Sequence, residues 1–129
     1  MGKFDNIFQG KKILVYGLGK SGISSYKFLK KKSDVYLFDD NHKIDLKFNQ
    51  KIISLKEIYK INFDIIIISP GIDISNCKLS KFLKNNLSKI HTDLDILFSF
   101  YDNISITITG TNGKSTTAKI LHDVLIDQN

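Results

Sequence analysis

Two glycine-bearing stretches carry the residue types that handle phosphate. Gly17-Leu-Gly-Lys-Ser-Gly22 follows the apolar run Lys12-Ile-Leu-Val-Tyr16, and Gly110-Thr-Asn-Gly-Lys-Ser-Thr116 follows Ile104-Ser-Ile-Thr-Ile-Thr109. In the second stretch, small residues let backbone N–H groups close around a phosphate, and a helix starting behind them adds its positive N-terminal end. Lys114 is placed to reach the outer phosphates, and the Ser115 hydroxyl to take one position on Mg²⁺. The general pattern G-x-x-x-x-G-K-[ST] asks for glycine at position 108, where this chain has Ile108. The loop is therefore a variant whose first glycine is Gly110. Asn112-Gly113 is also a hairpin signal, so two strands around a tight turn are the alternative. The residues that follow argue for a helix, because Thr117, Ile120, Leu121, Val124 and Leu125 share one helical stripe.

The first stretch reads G-x-G-x-x-G between a short apolar strand and a helix with Ile23, Tyr26 and Leu29 on one face. A second strand, Asp34–Asp39, follows and ends in the acids Asp39 and Asp40. This is the β-α-β arrangement that binds a nucleotide on its first turn and reads a ribose or base edge with the acid. Gly17 permits the tight turn, Gly19 close backbone approach, and Gly22 the packing of helix on strand. The bland alternatives are a glycine turn that only packs and a solvated acidic strand end.

These loops need a sheet to position them. Asp64-Ile-Ile-Ile-Ile-Ser69 has four consecutive isoleucines, the pattern of a central parallel strand buried on both faces. It ends at Ser69-Pro70-Gly71, a turn at the same carboxyl edge. Lys51–Ser54 is read as a short strand, Leu55–Ile61 and Leu79–Leu87 as helices, and Lys89–His91 as a brief edge strand. Asn41–Gln50 is read as loop. Thr92 or Asp93 caps a further helix expected to bury Leu94, Leu97 and Phe98. Ile104–Thr109 alternates with period two and is expected to be a strand. His42, His91 and His122 have no partners at metal-ligand spacing and are taken as structural.

Composition narrows the classes. At 129 residues the chain holds one domain, or one and a fragment. Its single cysteine, Cys77, excludes an intrachain disulfide and fits a reducing cytoplasm. The longest apolar run is too short to span a bilayer. The net charge is +6, yet all 19 basic residues are lysine. They are scattered along the chain, with only Lys30-Lys31-Lys32 as a cluster, and base readers usually rely on arginine. No nucleic-acid or membrane partner is expected.

The three motifs Gly17–Gly22, Ser69-Pro-Gly-Ile72 and Gly110–Thr116, in this order, resemble the Mur ligases, the amide-forming enzymes of peptidoglycan precursor synthesis. The likeness runs from about Lys12 to Leu125. It is greatest to the branch that adds D-glutamate to UDP-N-acetylmuramoyl-L-alanine. It implies an α/β architecture: a Rossmann-like parallel sheet domain over residues 1–101 that holds the UDP-substrate, then the first strand, P-loop and helix of a central ATP-binding domain over 102–129. Carried over position by position, it implies Lys20, Ser21, Asp39 and Gly71 for the uridine diphosphate. It implies Gly110, Thr111, Asn112, Gly113, Lys114, Ser115 and Thr116 for ATP, with Lys114 catalytic and Ser115 on Mg²⁺. The implied reaction is ATP-driven: the alanyl carboxylate is phosphorylated and the D-glutamate amine attacks the acyl phosphate, in a cytoplasmic monomer. The acidic Mg²⁺ ligands and the glutamate-binding domain would lie beyond Asn129, so this chain is expected to be a fragment, inactive by itself. Two other readings stay open: an NAD(P)-binding oxidoreductase domain using Gly17–Gly22, and a nucleotide-binding module without turnover.

Overall fold

The computed structural model describes residues 7–41, 51–101 and 104–128. Its centre is a parallel sheet of β1 (Lys12–Tyr16), β2 (Asp34–Phe38), β3 (Ile65–Ile68) and β4 (Ile90–His91), in the order β2-β1-β3-β4. The helices are α1 (Lys20–Leu29), α2 (Leu55–Ile58), α3 (Ser80–Lys84), α4 (Asp93–Phe100) and α5 (Lys114–Asp127). Successive side chains on a strand point to opposite faces, and the two apolar layers divide accordingly. Ile13, Val15, Val35, Leu37, Ile65 and Ile67 meet Leu29 of α1 and Ile96 of α4. Leu14, Tyr16, Phe38, Ile66 and Ile68 meet Ile58 of α2, Leu79 and Leu83. All four isoleucines of β3 are buried, as expected of a strand flanked on both sides. Fully burying one such side chain stabilises the fold by about 1.5–3 kcal/mol.

Other expectations are met or shifted. The segment at Lys51–Ser54 reduces to a single parallel bridge between Leu37 and Ile52, supported by the Ile53 N–H bonded to the Leu37 carbonyl at 3.0 Å. The predicted helix over 79–87 ends at Lys84, and a 3₁₀ turn at Leu87–Lys89 leads into β4. His91 lies on that edge strand, edge-on to Phe8, and His122 is exposed on α5 beside Asp123. The predicted loop at 41–50, with His42, lies outside the described residues except for Asn41.

Two expectations are corrected. Helix α4 is capped by Thr92 in a reciprocal box with Asp95, as its sequence suggests, but the buried residue is Ile96, with Phe100 packed beside it. Leu94, Leu97 and Phe98 are each about half exposed. Periodicity defines an apolar stripe, and here the stripe is wider than the face the sheet can cover. The second correction concerns Ile104–Thr109, which forms no strand. Its alternating isoleucines have no neighbouring strand among the described residues to supply ladder hydrogen bonds, and Ile104 and Ile106 are exposed. The helix after Gly113 is present, which excludes the hairpin, but none of its described residues is buried.

Candidate functional site

The carboxyl ends of β1, β2 and β3 gather three loops. From β1 the chain crosses to β2 on one side, while β3 lies on the other, so the gap between β1 and β3 is the switch point where α/β sheets take ligands. Gly17 opens the first loop at φ +91, a conformation that favours glycine. A Cβ on it would sit 2.8 Å from the Ser69 Cβ. At Gly22 the restriction is tighter, because a Cβ would lie 1.9 Å from the Gly17 carbonyl oxygen. Above Gly19 and Gly71, by contrast, nothing stands within 4 Å. Gly17 and Gly22 are thus required by packing, while Gly19 and Gly71 leave open backbone at the sheet edge.

Helix α1 starts straight from this loop with Gly19 as its N-cap and no side chain satisfying its first turn. The N–H groups of Lys20, Ser21 and Gly22 have no acceptor inside the helix, as in any first turn, and no acidic side chain in that turn offsets the positive end of the helix dipole. Such a terminus suits an anion.

Asp39 stands across from it. Its carboxylate accepts the Leu18 N–H at 2.5 Å and the Asn41 N–H at 2.7 Å, so it pins the glycine loop as well as its own turn. Asp40 turns inward instead. It accepts the Tyr16 hydroxyl at 2.9 Å, and its carbonyl accepts the Lys78 ammonium at 2.8 Å. Burial, with Cys77 and Asp40 alongside, pushes the Tyr16 phenol well above its ordinary value, so Tyr16 stays a neutral donor. The Ser69 hydroxyl donates to the Gly17 carbonyl at 2.7 Å and closes the third side. Lys20, Ser21, Asp39 and Gly71 are therefore brought to one edge.

Ser69 lies at this edge as the Ser69-Pro70-Gly71 turn suggests, but the Tyr16 and Lys78 contacts were not foreseen, and neither was Asp93 beyond its capping role. Asp93 accepts the Ser21 hydroxyl across a sequence separation of 72. Beside that bond, α1 and α4 enclose a cavity of about 430 Å³, with Lys20, Ser21, Ser24 and Asp93 at its polar end and Phe28, Leu97 and Tyr101 further along. Only the packing of α1 beside α4, far apart in the chain, makes these neighbours. Sequence spacing carries no signal for them.

The second loop is separate in character. Gly110 (φ +150) and Gly113 (φ +77) adopt conformations that favour glycine. Lys114, the first residue of α5, folds its ammonium back onto the Gly110 carbonyl, with the Thr111 carbonyl at 3.4 Å. Thr111, Asn112, Ser115 and Thr116 are all exposed around it. The turn thus combines two glycines at positive φ, a lysine and a helix start with no side-chain cap. Among the described residues no cluster of His, Cys, Asp or Glu could hold a metal, and no helix is long and apolar enough to cross a membrane.

The chain is similar to known proteins over most of its length. The UDP-N-acetylmuramoylalanine–D-glutamate ligase of Rickettsia felis is 41% identical over 121 residues, which cover 89% of this chain and 27% of that protein. The ligase of the same name from Rickettsia conorii is 40% identical over 121 residues, covering 89% of this chain and 24% of its own length. That from Caldicellulosiruptor saccharolyticus is 34% identical over 129 residues, covering 90% and 28%. The chain thus spans about a quarter of the length of these relatives. No solved structure gives a significant match. Residues 11–91, which carry the whole sheet and its three edge loops, match the Mur ligase MurD-like N-terminal domain, and the chain belongs to that family.

Proposed function

We propose that this chain is the nucleotide-holding part of a ligase that joins D-glutamate to UDP-N-acetylmuramoyl-L-alanine at the expense of ATP. The observation that carries this reading is the edge formed by the open backbone at Gly19, the uncapped α1 terminus and the pinned acid Asp39, in a chain about 40% identical to ligases of that name. The diphosphate would lie on the N–H groups of Lys20 and Ser21. The uridine would extend toward Asp39, with Gly71 allowing approach from the β3 side.

The Gly110–Thr116 loop would serve ATP, a second substrate. Two glycines at positive φ, an adjacent lysine and a helix N-terminus fit a phosphate chain. Lys114 would leave its loop carbonyls for the outer phosphates, where its charge stabilises the transferring phosphoryl group. The Ser115 hydroxyl, in the first turn of α5, would take one position on Mg²⁺. ATP supplies the phosphate that turns a carboxylate oxygen into a leaving group. The remaining catalytic groups would come from parts of the protein outside this chain.

A titration of the 129-residue chain with UDP and with NAD, followed calorimetrically, tests the first half. UDP is expected to bind and NAD not. Asp39→Ala is expected to weaken UDP by about 1–3 kcal/mol, the scale of lost hydrogen bonds to a charged group. Binding of NAD alone would replace this reading by that of a dinucleotide-binding oxidoreductase domain.

A further inference from the structure

Ser21 lies on the proposed nucleotide edge, yet its hydroxyl is committed elsewhere. It donates to the Asp93 carboxylate, whose other oxygen accepts the Leu94 N–H at 3.1 Å. An ionised carboxylate only accepts, so the hydroxyl proton points to Asp93 and away from a ligand on α1. The first turn of α1 is thereby fastened to the first turn of α4. Both partners are half-buried, and Lys20 lines the same cavity.

We propose that Asp93 is a positioning residue for the diphosphate of a uridine nucleotide, a role that rests on the nucleotide reading above. By holding Ser21 through its hydroxyl, Asp93 fixes the α1 terminus so that the N–H groups of Lys20, Ser21 and Gly22 converge on one anion. The arrangement has an electrostatic cost, because a carboxylate close to a diphosphate repels it. That cost separates geometry from charge in a test. Asp93→Asn removes the charge and keeps an oxygen for the Ser21 hydroxyl. Asp93→Ala removes the charge and the oxygen together. A residue acting only through charge would make the two variants equal.

The test is calorimetric titration of the 129-residue chain with UDP, with uridine as the phosphate-free control. Melting temperatures are recorded for each variant. Asp93→Asn is expected to bind UDP at least as tightly as the parent chain, and Asp93→Ala about tenfold more weakly than Asp93→Asn, a difference of about 1.4 kcal/mol. Uridine affinity should be the same in both. Ser21→Ala, which removes the donor, keeps the backbone N–H and leaves the Asp93 charge in place, should bind UDP no more tightly than Asp93→Ala, and the double variant should match Asp93→Ala. Equal UDP affinity in Asp93→Asn and Asp93→Ala overturns the proposal, as does a double variant whose losses add. If Asp93→Ala does not fold, Ser21→Ala against the hydroxyl-bearing Ser21→Thr carries the same comparison, and equal affinities there overturn it. A parent chain with no affinity for UDP overturns the nucleotide reading and this role with it. UDP binding that ignores Asp93 overturns this role alone.

Discussion

At the scale of single residues, neighbouring groups of one type have separate tasks. Gly22 and Gly19 belong to one motif, but a Cβ has no room at the first and free space at the second. Gly22→Ala is expected to lower the melting temperature, because a backbone carbonyl must move, and overpacking typically costs about 1–3 kcal/mol. Gly19→Ala is expected to leave the melting temperature unchanged, since its φ of −70 suits any residue, and to weaken UDP by blocking backbone approach. Thermal melts and UDP titrations of the two variants check both halves. Asp39 and Asp40 divide in the same way, one pinning the glycine loop and the other buttoning onto Tyr16. A further pair sits at the start of β2, where the Lys51 ammonium donates to Asp34 at 2.9 Å and holds its carboxyl below the ordinary value. A carboxyl depressed in the folded state adds stability above its unfolded value, near pH 4, and loses that contribution as pH falls through the folded value. Both side chains are about half exposed, so the effect is small. Lys51→Met should flatten the loss of stability on acidification below about pH 4, measured by denaturant unfolding across that range.

At the scale of elements, the contrast between β3 and the segment from Ile104 onward is one of partners. Ile65–Ile68 has a strand on each side and a helical layer on each face. Ile104–Thr109 has the alternation of a strand but no ladder, and α5 has the stripe of a packed helix but no surface over it among the described residues. A helix of this length is marginal in water without tertiary packing. Hydrogen exchange is therefore expected to be slow across Ile65–Ile68 and fast across Ile106–Leu121. Equal protection in the two segments would show that α5 docks on the sheet domain. Helix α4 is an intermediate case: Ile96 is buried while Leu94, Leu97 and Phe98 are half exposed.

At the scale of the whole molecule, the two glycine loops are anchored differently. The Gly17 loop is held by Asp39 and Ser69 within the sheet domain. The bonds of the Gly110 loop run to its own carbonyls and into α5, as in the 2.9 Å bond from the Thr117 N–H to the Gly113 carbonyl. Sites without shared partners contribute nearly additively. In a protein extended to the length of the relatives, Lys114→Ala is thus expected to abolish ligation while leaving UDP-substrate affinity nearly unchanged, which calorimetry and an amide-formation assay would measure together. The sheet strands, the first helix and both loops were legible in the sequence, because apolar period and glycine placement are local consequences of backbone geometry. The four isoleucines of β3 could hardly be anything but a central strand, and Lys114 could be seen to open a helix. What the sequence alone could not decide was which apolar stripes find a surface. Ile104–Thr109 and α4 have clear periods, but burial depends on the presence and width of a partner. Nor could it reveal that Asp39 grips Leu18 while Asp40 grips Tyr16, or that Asp93 meets Ser21. Those contacts join residues far apart in the chain: the pairing of β1 with β2 brings the first two within hydrogen-bond range, and the packing of α1 beside α4 the third.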